Sequence, residues 1–394
     1  MNILFFDDKS FEHLFPLTFT KPIVELRIGI LKIREKWERI FEDATFSHLT
    51  KTYLSEKFPA REKESNLAIA GSLIPGDGIA EAIALLQENE LLVKNDRIMA
   101  ASTGKEGLKM LTGNNIHTFK KKEFQGEVTF LDHPWQIFRM NGDEINRDFE
   151  RLTRGRKSQT LSDTNRIIGD HIFVEEGVKA ECAIINTTSG PVYLGKDSEI
   201  MEGSVIRGPF ALCEHSVLKL SAKIYGPTTI GPYSKVGGEV NNSVIQAYTN
   251  KAHDGFLGNS VIGEWCNLGA DTNNSNLKNN YAEVRLWSYP EERFINTGLQ
   301  FCGLIMGDHT KCGINTMFNT GTVVGVNANI FGSGFPRNFV PSFSWGGAHG
   351  FTTYSIARAF EVAHTVMERR GVNFDETEQK ILKEVFKMTE KYRK

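Results

Sequence analysis

The best-defined polar segment of the 394-residue chain is Lys251-Ala252-His253-Asp254-Gly255-Phe256-Leu257-Gly258. It is followed by Asn267-Leu268-Gly269-Ala270 and by Asn273-Asn274-Ser275-Asn276. Histidine is the residue type that most often serves as a general base in enzymes, so His253 could accept a proton from a reacting group. A surface histidine without a chemical role is the alternative that His253, taken alone, leaves open.

A six-residue repeat surrounds this segment and must position it. Large aliphatic residues recur at every sixth position from Leu194 to Val236, and glycine often follows them, as at Gly195 and Gly231. Neither the helical period of 3.6 nor the strand period of 2 explains a step of six. A coil of three short strands per turn does, with the aliphatic side chain inside and the small residue at a corner. We therefore predict a parallel β-helix over residues 161–350, with an evenly spaced β-sandwich as the alternative.

The repeat also predicts which side chains point into the coil. They are Leu194, Ile200, Ile206, Leu212, Leu218, Ile224, Ile230 and Val236, then Phe256, Ile262 and Leu268, and finally Met306, Cys312, Phe318, Val324 and Ile330. Before Leu194 a less regular part of the repeat contains Ile168, Val174 and Ala180. The insertion at 279–300 carries Arg285, Trp287 and Tyr289, and could cover the site, contact a neighbouring coil or simply pack.

The N-terminal residues 1–160 follow a different pattern. Apolar runs predict strands at 2–6 and 67–70, and helical spacing predicts an amphipathic helix from Ile23 to Ile40. A further helix is expected at 79–87, and residues 133–165 are expected to form a connector. Strands that alternate with helices predict an α/β domain of Rossmann-like type.

The C-terminal residues 351–394 predict a helical extension. One helix is expected over 353–370, ending at Gly371, and a second is expected after Asp375 as its N-cap. We expect these helices to cover the open end of the coil or to join subunits, since repeat arrays need caps.

Composition excludes several classes of protein. The chain has 46 basic and 48 acidic residues, a net charge of −2, which gives no basic excess for nucleic-acid binding. No apolar run approaches the roughly 20 residues of a membrane span. The cysteines at 182, 213, 266, 302 and 312 are dispersed, which favours free thiols in a reducing compartment. We expect a cytoplasmic protein with no nucleic-acid or membrane partner.

Residues 251–276 resemble the acetyltransferase half of the bifunctional (GlmU-like) uridylyltransferase/glucosamine-1-phosphate acetyltransferase family, in which K-A-G-H-x-x-Y-L-G-D and N-x-G-A-G-T-x-x-x-N recur. The resemblance implies a left-handed coil, a homotrimer and acetyl-CoA as the acyl donor. It implies His253 as the general base for the sugar amine and the Ala270 N–H as the oxyanion donor. Asn267 and Asn276 match the ligands of the sugar phosphate, and Lys235 and Lys251 are further candidates for substrate binding.

The physical requirements of the reaction agree with these roles. An amine that attacks a thioester must lose a proton, and the tetrahedral oxyanion needs a fixed hydrogen-bond donor. The sequence departs from the family pattern where Phe256 replaces a tyrosine and Asp271 replaces a glycine.

The segment Leu14-Phe15-Pro16-Leu17-Thr18-Phe19-Thr20-Lys21-Pro22 resembles the L-x-P-L-T-x-x-x-P-K segment of sugar-1-phosphate nucleotidylyltransferases. The resemblance implies a nucleoside triphosphate (UTP or dTTP), Mg²⁺ and a sugar 1-phosphate. Lys21 and Arg27 are candidates for phosphate contacts. Asp7 and Asp8 are candidate metal ligands, because two carboxylates repel a triphosphate unless a divalent cation bridges them. The family's glycine-rich phosphate loop is missing, since residues 7–13 contain no glycine.

These observations predict a transferase of sugar-nucleotide metabolism. It would couple sugar-1-phosphate nucleotidylyl transfer to acetyl-CoA-dependent N-acetylation of glucosamine 1-phosphate, and so make UDP-N-acetylglucosamine. One alternative is an acetyltransferase whose N-terminal domain only binds substrate. The other is a trimeric scaffold without enzymatic activity.

Overall fold

The computed structural model describes residues 1–112 and 116–393, which form two compact units. The first unit consists of Met1–Leu14, Thr20–Leu26 and Leu31–His133. The second consists of Phe15–Phe19, Arg27–Ile30 and Pro134–Lys394. The main division at 133/134 differs from the predicted boundary at 160, because residues 134–153 form a helix that packs on the coil.

The first unit is built on a mixed six-stranded sheet. Its strands, in spatial order, are Thr45–Leu49, Asn2–Phe6, Asn66–Ala70, Arg97–Thr103, Glu90–Lys94 and Lys120–Glu123. Its helices are Ser10–His13, Ile33–Glu38, Ile79–Ala84 and Lys105–Thr112, with 3₁₀ turns at Ile23–Glu25 and Thr52–Leu54 and a short strand pair at Leu73–Ile74 and Thr129–Phe130. The α/β prediction and the two predicted strands are confirmed.

The predicted helix from Ile23 to Ile40 is wrong over its first half. A 3₁₀ turn ends at Glu25, and the α-helix begins only at Ile33. Between them Gly29 adopts φ +78°, which a continuous helix forbids. The N–H groups of Gly29 and Ile30 donate instead to the side chains of Asn141 (2.8 Å) and Asp148 (3.0 Å). These long-range hydrogen bonds replace the helical hydrogen bonds that the apolar spacing predicted.

The second unit is the predicted parallel β-helix, and its strands lie on three faces. The first face has Ile172–Val174, Val192–Leu194, Phe210–Leu212, Thr228–Ile230, Val244–Ile245, Val261–Ile262, Leu304–Met306, Thr322–Val324 and Phe339–Val340. The second face has Lys179–Ala180, Glu199–Ile200, Val217–Leu218, Lys235–Val236, Asn250–Lys251, Asn267–Leu268, Lys311–Cys312, Asn329–Ile330, Ser344–Gly347 and Gly350–Thr353. The third face has Arg166–Ile168, Ile184–Asn186, Val205–Arg207, Lys223–Tyr225, Glu239–Asn241 and Phe256–Gly258, and a separate pair, Asn273–Asn274 and Met317–Phe318, follows.

The predicted interior positions form one buried apolar cluster, with two exceptions. Ile168 is 39% exposed because it pairs with Asn186, an outward position of the next turn. Phe256 lies outside the core, since Leu257 pairs with the buried Val240 and points inward in its place. The register therefore continues after Val236 through Val240, Ile245 and Leu257. The fixed repeat did not anticipate the four-residue step from Val236 to Val240 or the five-residue steps from Val240 to Ile245 and from Leu257 to Ile262.

Helices complete the second unit at Pro134–Thr153, Ile356–Glu368 and Glu376–Met388, with a 3₁₀ turn at Glu390–Arg393. Asp375 is the predicted N-cap, and its carboxylate accepts from the Glu378 N–H at 2.9 Å. Phe386 packs edge-on against the buried Phe343 of the last turn, with ring centroids 5.0 Å apart. The last helix thus covers the end of the coil. Among the described helices, none is both long and apolar enough to cross a membrane.

Candidate functional site

His253 lies in the turn between the second and third faces of the coil, and its side chain is exposed. It borders a pocket of about 650 Å³, within the range of small-molecule sites. The polar lining residues are Lys235, Asn250, His253, Asn267, Arg369 and Arg370, and the others include Ala270, Leu268, Ile314 and Val366. The structure therefore brings together four predicted site residues that are up to 35 positions apart in the sequence: Lys235, His253, Asn267 and Ala270.

The strand register explains this arrangement. Lys235, Asn250 and Asn267 pair in sequence across three neighbouring strands of the second face. Neighbouring strands lie about 4.8 Å apart, so these outward side chains form one column along the wall of the coil. The inward partners of the same strands include Val236 and Leu268, which are buried. Packing inside the coil therefore fixes the spacing of the polar groups outside it.

Ala270 follows a glycine that the coil requires. A Cβ on Gly269 would lie 2.4 Å from the carbonyl carbon of Gly313 in the next turn. The Ala270 carbonyl accepts from the Asn315 N–H at 2.8 Å, whereas the Ala270 N–H finds no acceptor in residues 1–112 and 116–393. This N–H is held in place and remains available to a ligand oxygen.

Arg369 and Arg370 are site residues that the sequence reasoning missed. They follow the helix Ile356–Glu368, which was expected only to cap the coil or to join subunits. Arg370 Nη2 donates to Asn250 Oδ1 at 3.1 Å, which ties the end of this helix to the polar column. With Lys235, the two arginines give the pocket three cations, an arrangement that suits a phosphate. The adjacent arginines before Gly371 were the only available sequence signal.

A second, smaller pocket adjoins the first and has a volume of about 400 Å³. His253 and Ala270 line both pockets, and Lys219, Asp254 and Asp271 line the second one. His253 and Ala270 therefore lie where the two pockets meet. Such an arrangement suits a reaction between two separate substrates.

Lys251 does not line either pocket, contrary to its predicted role in substrate binding. It pairs with Val236 and occupies an interior position of the coil, where it is 2% exposed. Its Nζ donates to the backbone carbonyls of Gly237 and His253, both at 2.8 Å. Burial lowers the pKa of Lys251 to about 8. Lys251 therefore positions the His253 turn from inside the coil.

Asn276 also lies outside both pockets. Its Nδ2 donates to Asn259 Oδ1 at 2.8 Å, and its carbonyl accepts from the Cys302 N–H at 2.9 Å.

The carboxylates of Asp7 and Asp8 in the first unit both accept hydrogen bonds from other groups of the protein. Asp7 accepts from the Ile23 N–H at 3.0 Å and from the Thr50 hydroxyl, and burial raises the pKa of Asp7 to about 6. Asp8 accepts from the Ser10 N–H at 2.9 Å and from the Ser72 hydroxyl.

The positive charge beside Asp8 comes from Arg97. Its guanidinium lies 3.4 Å from Asp8 and 2.8 Å from Asp132. Within residues 1–112 and 116–393, no group of three or more His, Cys, Asp or Glu side chains could hold a metal ion. The arrangement therefore does not fit the predicted role of Asp7 and Asp8 as Mg²⁺ ligands.

Lys21 and Arg27 belong to different compact units of the chain. Lys21 belongs to the first unit and is 5% exposed. Arg27 belongs to the second unit, where its backbone pairs with the Gln246 side chain at 2.7 and 3.1 Å and its guanidinium donates to the Ile30 carbonyl. Arg27 is thus committed to packing on the coil and is not placed for the predicted phosphate contact.

Comparison with known proteins supports the resemblance for both units. Residues 3–157 match the family described as sugar nucleotidyl transferase. This part of the chain is therefore similar to sugar nucleotidyl transferase domains. It differs from the family pattern quoted above in lacking the glycine-rich loop after its first strand.

Several curated relatives are named as bifunctional proteins, and the name of one of them states both activities. A bifunctional sugar-1-phosphate nucleotidylyltransferase/acetyltransferase of Sulfurisphaera tokodaii is 27% identical over 264 residues, which are 66% of this chain and 59% of that protein. The bifunctional protein GlmU of Methanocaldococcus jannaschii is 36% identical over 92 residues, 23% of this chain and 22% of the relative. GlmU of Methanococcus maripaludis strain C5 is 27% identical over 210 residues, 53% of this chain and 44% of the relative. In each case the aligned region spans less than two thirds of the relative.

The buried ammonium of Lys251 predicts a specific pH dependence of stability. The pKa is about 8 in the folded chain and 10.5 for a free lysine, so the unfolded chain binds more protons between these values. The free energy of unfolding of the wild type should therefore rise from pH 8 to 10.5. Relative to Lys251→Met, this rise should amount to as much as about 3 kcal/mol.

Denaturation followed by circular dichroism at several pH values measures this difference. Lys223→Met removes an exposed lysine from the third face and controls for the loss of a charge. A stability difference between wild type and Lys251→Met that stays constant over this pH range would contradict the interior position.

Proposed function

We propose that the second unit transfers an acetyl group from acetyl-CoA to the amine of glucosamine 1-phosphate. The observation that carries the proposal is that His253 and the Ala270 N–H border two adjoining pockets, one of which contains three cations. A general base, an oxyanion donor and a phosphate-binding group are the components that acetylation of an amino sugar phosphate requires. The relative named as a nucleotidylyltransferase/acetyltransferase gives further support.

In the proposed reaction His253 accepts a proton from the attacking amine. The nitrogen then forms a bond to the acetyl carbon, and the Ala270 N–H donates to the oxygen that becomes negative. Collapse of the tetrahedral intermediate breaks the carbon–sulfur bond and releases coenzyme A as a thiol, with the proton returned from His253. Lys235, Arg369 and Arg370 hold the sugar phosphate, and Asn267 adds a neutral hydrogen-bonding group.

We propose that the chain acts as a homotrimer in the cytoplasm. The family resemblance implies the trimer, and sites between subunits would give Asn276 a route to the substrate of a neighbouring chain. All five cysteines are free, four of them buried, which fits a reducing compartment.

For the first unit we propose nucleotidylyl transfer from UTP or dTTP to a sugar 1-phosphate. The family match over residues 3–157 supports this activity, and Lys21 is the retained candidate for a phosphate contact. No residue is assigned to Mg²⁺, because each carboxylate oxygen of Asp7 and Asp8 already accepts from a protein donor.

The hydrogen bonds to Asp7 and Asp8 favour a second candidate function, in which the chain is an acetyltransferase only. The occupied carboxylates and the missing glycine-rich loop are both unfavourable for metal-dependent triphosphate chemistry. In that case the first unit binds substrate without reacting with it.

Replacing the proposed base tests the acetylation. His253→Ala should lower kcat/KM for acetylation of glucosamine 1-phosphate by about 10²–10⁴-fold, the usual contribution of a positioned general base. Loss of thioester absorbance measures the rate without interference from the exposed thiol of Cys182. His171→Ala removes an exposed histidine from the start of the coil and should change the rate less than twofold. Equal rates in wild type and His253→Ala would refute the assignment.

Release of pyrophosphate tests the first unit separately. With UTP or dTTP and N-acetylglucosamine 1-phosphate, the wild type and His253→Ala should release pyrophosphate at the same rate. Lys21→Gln should reduce that rate at least tenfold through loss of a phosphate contact, whereas Lys9→Gln at an exposed position should not. Circular dichroism checks that the variants are folded. If neither nucleotide yields pyrophosphate with the wild type, the acetyltransferase-only function is correct.

A further inference from the structure

The insertion after the third face forms a β-hairpin whose outer face lines a separate cavity. Its strands are Arg285–Ser288 and Arg293–Asn296, and Trp287 pairs directly with Phe294. Alternation along the strand places Leu286 and Ser288, both buried, on the opposite side from Arg285 and Trp287. The cavity, here called the hairpin pocket, has a volume of about 630 Å³ and is lined chiefly by Lys278, Arg285, Trp287, Phe294, Arg337 and Phe339.

The apolar wall of the hairpin pocket is held by ring stacking. Trp287 stacks on Phe339 with centroids 4.3 Å apart and planes at 11°, and Phe294 contacts the indole edge-on at 5.4 Å. Tyr392 approaches the same indole at 6.2 Å. Because Phe339 lies on a strand of the coil, this packing anchors the hairpin and forms the wall in advance of any ligand.

The remaining lining residues are the cations Lys278, Arg285 and Arg337 and the neutral polar residues Thr320 and Asn338, and no acidic side chain belongs to the lining in the described part of the chain. Lys278 Nζ is held by the Glu283 carbonyl at 2.7 Å. Arg285 and Arg337 are both exposed, and neither has a carboxylate partner in the residues that the structure describes. Three cations beside one another without a counter-charge repel each other, in a chain whose net charge is −2. An anionic ligand would remove this repulsion.

We propose that the hairpin pocket binds a phosphorylated ligand that also carries a ring, of the nucleoside diphosphate class. Guanidinium groups bind phosphate oxygens in a bidentate manner, which assigns the phosphates to Arg285 and Arg337. The aromatic wall accommodates the ring, and the volume is that of a small-molecule site. This pocket contains none of the residues assigned to acetyl transfer, so it is an additional site.

Calorimetric titration of the full chain with UDP tests the proposal. In the proposed function the first unit also binds a nucleotide, so the number of UDP molecules bound per chain decides the test. The wild type should bind one more UDP per chain than the variant Arg285→Gln/Arg337→Gln. Arg293→Gln removes an exposed arginine of the same hairpin, paired with Glu291, and should bind as many as the wild type.

Two simpler probes distinguish the phosphate from the ring. Pyrophosphate and uridine should each bind the additional site at least tenfold more weakly than UDP, since each supplies only half of the contacts. His253→Ala should keep the site, which separates this test from that of the acetylation. Equal numbers of sites in the wild type and the double variant, or loss of the site in Arg293→Gln, would overturn the proposal.

Discussion

Three short strands close each turn of the coil, so an apolar side chain must face the interior at nearly every sixth residue. The column from Leu194 to Val236 meets this requirement without exception, and all of its members are buried. Because each interior residue is fixed, its neighbours in the strand are fixed as outward residues. The polar column formed by Lys235, Asn250 and Asn267 is therefore a consequence of core packing.

Lys251 joins this core to the site. It takes an interior position where the repeat would place an aliphatic residue, and its ammonium binds the carbonyls of Gly237 and His253. A buried charge is tolerated only when hydrogen bonds satisfy it. In meeting that need, the lysine holds the turn that carries the proposed base.

The sequence predicted the parts of the fold that depend on local periodicity. The six-residue repeat identified the coil and most interior positions, and the motif around His253 selected a turn that does border a pocket. Long-range contacts explain what it missed. Gly29 and Ile30 do not continue the predicted helix because Asn141 and Asp148 accept hydrogen bonds from their N–H groups. Arg370 enters the pocket although it lies 120 positions after its partner Asn250 in the sequence.

Asp7 and Asp8 in the first unit also show that the sequence does not reveal long-range contacts. A pair of adjacent aspartates after a strand indicates a metal site, but the sequence does not show that Arg97 lies beside Asp8. The match over residues 3–157 favours nucleotidylyl transfer by this domain. The hydrogen-bonded carboxylates of Asp7 and Asp8 are unfavourable for the metal binding that this reaction needs. In the second unit the pocket and its cations agree with the part of the motif formed by His253, Asn267 and Ala270, whereas Lys251 and Asn276 lie outside both pockets.

The central claim is that the amino sugar phosphate lies between the cationic wall and His253. A crystal structure of the protein with glucosamine 1-phosphate tests it most directly. The account predicts the phosphate within hydrogen-bond distance of Lys235, Arg369 or Arg370, and the amine within reach of the His253 imidazole. An ordered ligand bound elsewhere, with this pocket filled only by water, would contradict it.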